Sequence, residues 1–152
     1  MLYILPKSIL NDIIQLYKER GLYMDVDNNA FFCLVVGSRT FNDYELLKKS
    51  LDEILKDKED MGIVLVSGGA KGADSLAERY ALEKNYNIIV MRANWAVYGK
   101  SAGYIRNTQM HEYISTKPNR MVVAFWDGQS KGTEHSFKLA ERFKNPITTI
   151  RF

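Results

Sequence analysis

Cysteine, histidine and long apolar runs are all scarce in this 152-residue chain, and each scarcity removes a class of protein. One cysteine, Cys33, cannot form an internal disulfide, and two histidines beside it leave no zinc-site spacing. No metal or cofactor is expected. No apolar stretch approaches the roughly 20 residues that span a bilayer. The opening residues, Met1 to Pro6, lack the basic start and small-residue cleavage site of a signal peptide, so no membrane partner and a cytoplasmic location are expected. Charge of one sign is not in large excess. Lys and Arg number 21 against 18 Asp and Glu, a formal balance of +3, which is too little for wholesale nucleic-acid binding, although the placement of the basic residues matters more than their sum. What remains is globular composition, 46% hydrophobic and 26% charged, in a length that suits one domain.

From Phe31 onward, strand-like runs alternate with helical ones. The pattern predicts strands over Phe31–Val36, Ile63–Val66, Asn87–Met91, Met121–Trp126 and Ile147–Ile150. Helices are predicted over Asn42–Lys56, Ala73–Lys84, Gly103–Ile114 and Thr133–Phe143. The runs Phe32-Cys33-Leu34-Val35-Val36 and Met121-Val122-Val123-Ala124-Phe125 lack polar alternation, as strands of a parallel sheet covered on both faces do. The fold expected is a Rossmann-like α/β three-layer sandwich on a mainly parallel sheet of about five strands. Residues 1–30 stand apart as an appended amphipathic helix, with Ile9, Leu10, Ile13, Ile14, Leu16 and Tyr17 at helical spacing, and a polar linker. An apolar stripe left uncovered on that helix or on Asn42–Lys56 would pair subunits into a homo-oligomer.

Glycine-rich segments fall where strands give way to helices, the edge at which parallel sheets bind phosphates. Ser67-Gly68-Gly69-Ala70-Lys71-Gly72-Ala73-Asp74 leaves a strand with amides expected to be free for a phosphate or carboxylate. It has neither a Walker ending nor the dinucleotide glycine spacing, so neither an ATPase nor a dehydrogenase follows. Asp74, in the first helical turn, suits either capping of amides or a ribose hydroxyl. Asp127-Gly128-Gln129-Ser130-Lys131-Gly132-Thr133 reads as a second phosphate grip, and Gly37-Ser38-Arg39 sets an arginine after the first strand. In the long connection between the third and fourth strands, Trp95 and Tyr98 are placed either to stack on a base or to pack the loop, with Lys100 beside them. Arg106 and Asn107 open a helix where a cation opposes the dipole, which points to ligand contact. Arg106→Ala is expected to abolish binding while barely changing the melting temperature. Cys33 reads as an inert buried thiol, and His111 and His135 belong to no triad.

Taken together and in order over Phe31–Phe152, these segments closely resemble the YspA-type branch of the SLOG superfamily, which includes the LOG phosphoribohydrolases and the DNA-processing protein DprA. The resemblance implies a nucleotide-binding domain whose ligand is a small nucleotide or an ADP-ribose-like derivative, sensed or sequestered. Phosphates would meet Gly68–Gly72 and Ser130–Thr133, with Arg39 and Arg106 as counter-charges. It implies two alternatives. One is N-glycosidic cleavage of nucleotides of the LOG type by Arg106 with Glu134 or Asp127. Here Asn107 replaces the LOG lysine, and Glu134 falls about one helical step early. The other is DprA-like binding of single-stranded DNA along Lys71, Arg92, Lys100, Arg106 and Lys131.

Overall fold

A computed structural model describes residues 27–152 and, before them, Pro6, Ser8, Ile9 and Asp12. The appended helix expected within 1–30 thus lies almost wholly outside the described residues. Five parallel strands form one sheet: β1 (Phe31–Gly37), β2 (Ile63–Ser67), β3 (Asn87–Val90), β4 (Arg120–Trp126) and β5 (Ile147–Arg151). Their order is β3-β2-β1-β4-β5. The chain builds outward from β1 to β3, then returns across to β4 on the other side of β1. That reversal makes the gap between the carboxyl ends of β1 and β4 the topological switch point, where open α/β sheets bind ligands.

Helices α1 (Tyr44–Leu55) and α2 (Ala73–Lys84) cover one face. Cys33 and Val35 of β1 pack there with Leu47, Leu51, Leu55, Ala77 and Tyr80. The opposite face carries Phe32, Leu34 and Val36 against Met110 and Ile114 of α4 (Ala102–Ser115), with Phe137 of α5 (Lys131–Phe143) beside them. Alternate β1 side chains thus enter two separate cores, which is why this strand shows no polar alternation. Burying each large aliphatic side chain contributes about 1.5–3 kcal/mol. The α1 stripe is spent inside the molecule on this packing, so it offers no apolar face to a second copy.

Local chemistry sets the boundaries. Asp43 accepts from Leu46 N at 3.0 Å and starts α1, so Asn42 is outside the helix. Asn85 (φ 56) and Lys144 (φ 55) turn left-handed to end α2 and α5. The Tyr86 and Asn145 amides then reach back to Ala81 O and Ala140 O, each at 2.9 Å. The long connection after β3 is not irregular. Asn94 caps a single helical turn, α3 (Trp95–Tyr98), and a 3-10 turn over Gly99–Ser101 feeds directly into α4. Among the described residues no helix is long and apolar enough to cross a membrane.

Candidate functional site

A cleft of about 460 Å³ opens at the switch point. The turn after β1 supplies Gly37, Ser38 and Arg39, and the turn after β4 with the start of α5 supplies Asp127, Ser130, Gly132 and Thr133. Ala70, Asp74, Trp95, Lys100, Arg106 and Asn107 complete its expected lining. Segments far apart in the chain therefore meet at one site, as the parallel topology requires.

Arg106 is the central charge. It is 8% exposed, yet among the described residues no carboxylate lies within 4.0 Å of it. Its Nη1 donates to Gly68 O and its Nε donates to Asn107 Oδ1 at 3.0 Å. Burial lowers its pKa, and the more distant Asp74 charge opposes that shift. Asn107 Nδ2 donates to Gly132 O at 3.4 Å, tying α4 to the start of α5. A buried, fork-shaped cation facing a cleft without a paired anion is suited to phosphate or carboxylate.

Two hydroxyls deepen the case. Ser38 (2% exposed) and Ser136 (1% exposed) line the cleft, and neither Oγ closes a hydrogen bond. The Ser38 hydroxyl faces the Asp127 carboxylate and helps keep its pKa low, but without normal hydrogen-bond geometry. Buried hydroxyls left unpaired cost about 1–3 kcal/mol each, which a ligand oxygen would recover.

The first glycine-rich turn behaves differently from expectation, because its own side chains take up its amides. Ser67 Oγ accepts from Gly69 N at 3.1 Å and donates to Glu78 Oε1 at 2.8 Å. Asp74 Oδ2 accepts from Ala70 N at 3.2 Å. Asp74 therefore closes the turn ahead of α2, whose N-cap Gly72 has no side-chain cap bond, and the amides of Gly69 and Ala70 are not free. Burial raises its pKa to about 6, against the pull of Arg106. Gly72 (φ 82) has a packing role, since a Cβ there would lie 2.3 Å from Ser38 O. Gly68, Gly69 and Lys71 line a neighbouring groove instead of the main cleft.

The second turn follows the same logic. Asp127 Oδ1 accepts from Gln129 N and Ser130 N, both at 2.9 Å, and these bonds hold its pKa below the usual carboxylate range. Ser130 caps α5, accepting from Thr133 N at 3.4 Å. Glu134 lies outside the cleft, half-buried and ion-paired with Lys131 at 3.1 Å, which lowers its pKa. Lys131 itself points away from the cleft lining, as does Tyr98, which is 46% exposed. Trp95 is half exposed with the Arg39 guanidinium 5.7 Å from its ring centroid, so it is available to a base on its open side.

Sequence reasoning missed Met110 and Ser136 among the lining residues. The signal was periodicity: Ser136 follows Thr133, and Met110 follows Arg106, by one helical turn each. His111 is wholly buried, its Nδ1 meeting Asn145 Nδ2 at 3.3 Å, and burial lowers its pKa to about 4.

Fold and cleft together define a Rossmann-like α/β protein with an anion-suited site at its switch point. The YspA, cpYpsA-related SLOG family model matches residues 33–98. The Gene 61 protein of Mycobacterium phage D29 is 33% identical over 119 residues, 75% of this chain and 91% of the phage protein. The chain belongs to the YspA-related SLOG family. Among solved structures, DNA processing protein A from Helicobacter pylori, described in its single-stranded DNA binding mode, matches with a TM-score of 0.58 at 19% identity. The match covers 82% of this chain and 68% of that one. DNA processing protein A (DprA) from Streptococcus pneumoniae matches at 0.57 and 20% identity, over 80% of this chain and 50% of that one. This chain thus spans half the length of the Streptococcus protein, and at such identities the likeness is one of fold.

Proposed function

We propose that this protein binds a small nucleotide or a nucleotide-derived, ADP-ribose-like ligand and acts as a sensor or sequestering protein in the cytoplasm. The observation that carries this reading is Arg106, buried without a carboxylate partner beside the unpaired hydroxyls of Ser38 and Ser136. In this reading a phosphate sits against the Arg106 fork and the first turn of α5, where the helix dipole adds to the attraction. Arg39 supplies a second charge, and the base lies on Trp95. Asp74 closes its own turn and tempers the Arg106 charge.

N-glycosidic cleavage draws less support. Glu134 is outside the cleft and paired with Lys131, and Asp127 is held ionised by two amides, whereas an acid catalyst must reach its proton acceptor in protonated form. Single-stranded DNA binding is favoured by one observation, the likeness to the Helicobacter DNA processing protein. The modest net charge argues that such binding would be weak and strongly salt-dependent.

Mass spectrometry on gently purified protein, and on a nucleotide panel incubated with it, tests the reading. An intact nucleotide retained through purification supports a binder. Free base with ribose phosphate would make the protein a hydrolase. No retention, together with no measurable affinity across the panel, would sink the proposal.

A further inference from the structure

Beside the cleft, sharing Trp95, Arg39 and Arg106 with it, lies a second groove of about 410 Å³ floored by the Gly68–Lys71 turn. Its charged lining side chains are Arg39, Lys71, Arg92 and Arg106, with no carboxylate among them. Among the described residues none of the four has an ion-pair partner within 4.0 Å. Four cations around one groove, in a chain whose formal charge is only +3, repel one another unless an anion lies between them. Two of them are also fixed in place. Arg106 Nη1 donates to Gly68 O, and Arg92 Nη1 donates to Gly69 O at 3.0 Å. Consecutive carbonyls of one turn thus hold two guanidiniums that arrive from different parts of the chain. A side chain is excluded at Gly69, where φ is +68 and a Cβ would lie 2.9 Å from Arg92. The acidic groups that act on this pair are Glu78 on Arg92 and Asp74 on Arg106.

We propose that this groove is a second phosphate subsite, so that the whole site takes a nucleoside flanked by phosphates on both sides, with the base at Trp95. The inference rests on the reading of the first cleft as a nucleotide site and adds to it the substrate class, a non-contiguous bisphosphate in preference to a monophosphate. Trp95 and Arg39 line both lobes, so a base stacked there has one phosphate toward Ser38 and Arg106 and the other toward Lys71 and Arg92. Such a unit occurs in a free nucleoside 3′,5′-bisphosphate and inside a single strand.

The test is calorimetric titration of the full chain with AMP and with adenosine 3′,5′-bisphosphate at one ionic strength. The bisphosphate is expected to bind about tenfold tighter, the weight of one charge-assisted contact. Arg92→Gln should remove most of that ratio and Arg92→Lys should keep much of it. Lys71→Gln, at an exposed side chain, gives the same direction independently if Arg92→Gln does not fold. Equal affinities for the two ligands, or a ratio that survives both substitutions, would overturn the second subsite while leaving the first cleft intact. Binding of neither ligand would instead remove the underlying nucleotide reading. Oligothymidylates of two to ten residues then separate the sources: affinity that levels off at the shortest lengths identifies a small ligand, and affinity that climbs with length identifies a strand.

Discussion

Gly68 separates Arg106 from Asp74: a Cβ at that position would lie 2.7 Å from Arg106 Nη1 and 2.8 Å from Asp74 Oδ2. The absence of a side chain there makes room for a buried cation and a buried anion to lie against the same stretch of backbone. Burial makes each costly to ionise, and each charge offsets part of that cost for the other.

Arg106 therefore contributes to the fold itself, and the expectation that Arg106→Ala barely alters stability is revised. Its loss removes the hydrogen bonds to Gly68 O and Asn107 Oδ1 and the charge that opposes the burial of Asp74, costing about 1–3 kcal/mol and lowering the melting temperature by several degrees. Arg106→Lys keeps the charge but loses the fork. Thermal melts with nucleotide titrations should give near-normal stability and at least a tenfold weaker affinity for Arg106→Lys. Unchanged affinity would take Arg106 out of the site.

The Asp74 carboxyl gives a pH signature opposite to that of most carboxylates. Its pKa rises from 3.8 to about 6 on folding, so the folded state holds the proton more tightly. Its favourable contribution is then complete below about pH 4 and is lost as pH climbs through 6, by at most roughly 3 kcal/mol. Asp74→Asn should gain stability relative to wild type between those limits, with a constant gap above pH 7. Denaturant unfolding at pH 4.5 and pH 7.5 checks this, and an identical gap at both would refute it.

Ser38→Ala and Ser136→Ala separate a ligand site from ordinary packing. Because neither hydroxyl closes a hydrogen bond, and Ser38 only faces the Asp127 carboxylate, removing either should leave the free protein about as stable as before, with up to about 1 kcal/mol gained for Ser136→Ala. Nucleotide affinity should fall about fivefold, the weight of one neutral hydrogen bond. A loss of stability with unchanged affinity would make these hydroxyls structural.

Two glycines should respond in opposite ways. Gly72→Ala forces a Cβ to 2.3 Å from Ser38 O at φ +82 and should destabilise by more than about 3 kcal/mol. At Gly132 a Cβ meets nothing within 4 Å, so Gly132→Ala should stabilise α5 by about 0.5–1 kcal/mol. If the ligand reaches the first turn of α5, the same change weakens binding.

Much of this architecture is readable along the chain. The strands fall within a residue or two of their expected places, because β1 and β4 carry uninterrupted apolar runs. Arg106 stands out in the sequence as a cation at a helix start, but α4 begins at Ala102, so Arg106 lies in its second turn, where the dipole no longer opposes it. Its place in the cleft wall comes from its bonds to Gly68 O and Asn107 Oδ1. Self-consumption of the first glycine turn was not readable: Ser67 and Asp74 could equally have pointed at a ligand, and only their three-dimensional reach shows them bonded to Gly69 N and Ala70 N. The turn Trp95–Tyr98 escaped notice because four residues carry no periodicity, although Asn94 marked its start.

The strand order has a consequence in time. Because β1 sits between β2 and β4, a chain emerging from the ribosome completes β1, β2 and β3 well before β4 and α5 exist to close the other wall. Until Trp126 has emerged, one side of β1 lacks its neighbour, and until the first turns of α5 follow, the wall of the cleft opposite Arg106 is missing. A ligand of this cleft would therefore stabilise only the finished molecule and would not rescue a stalled or truncated one.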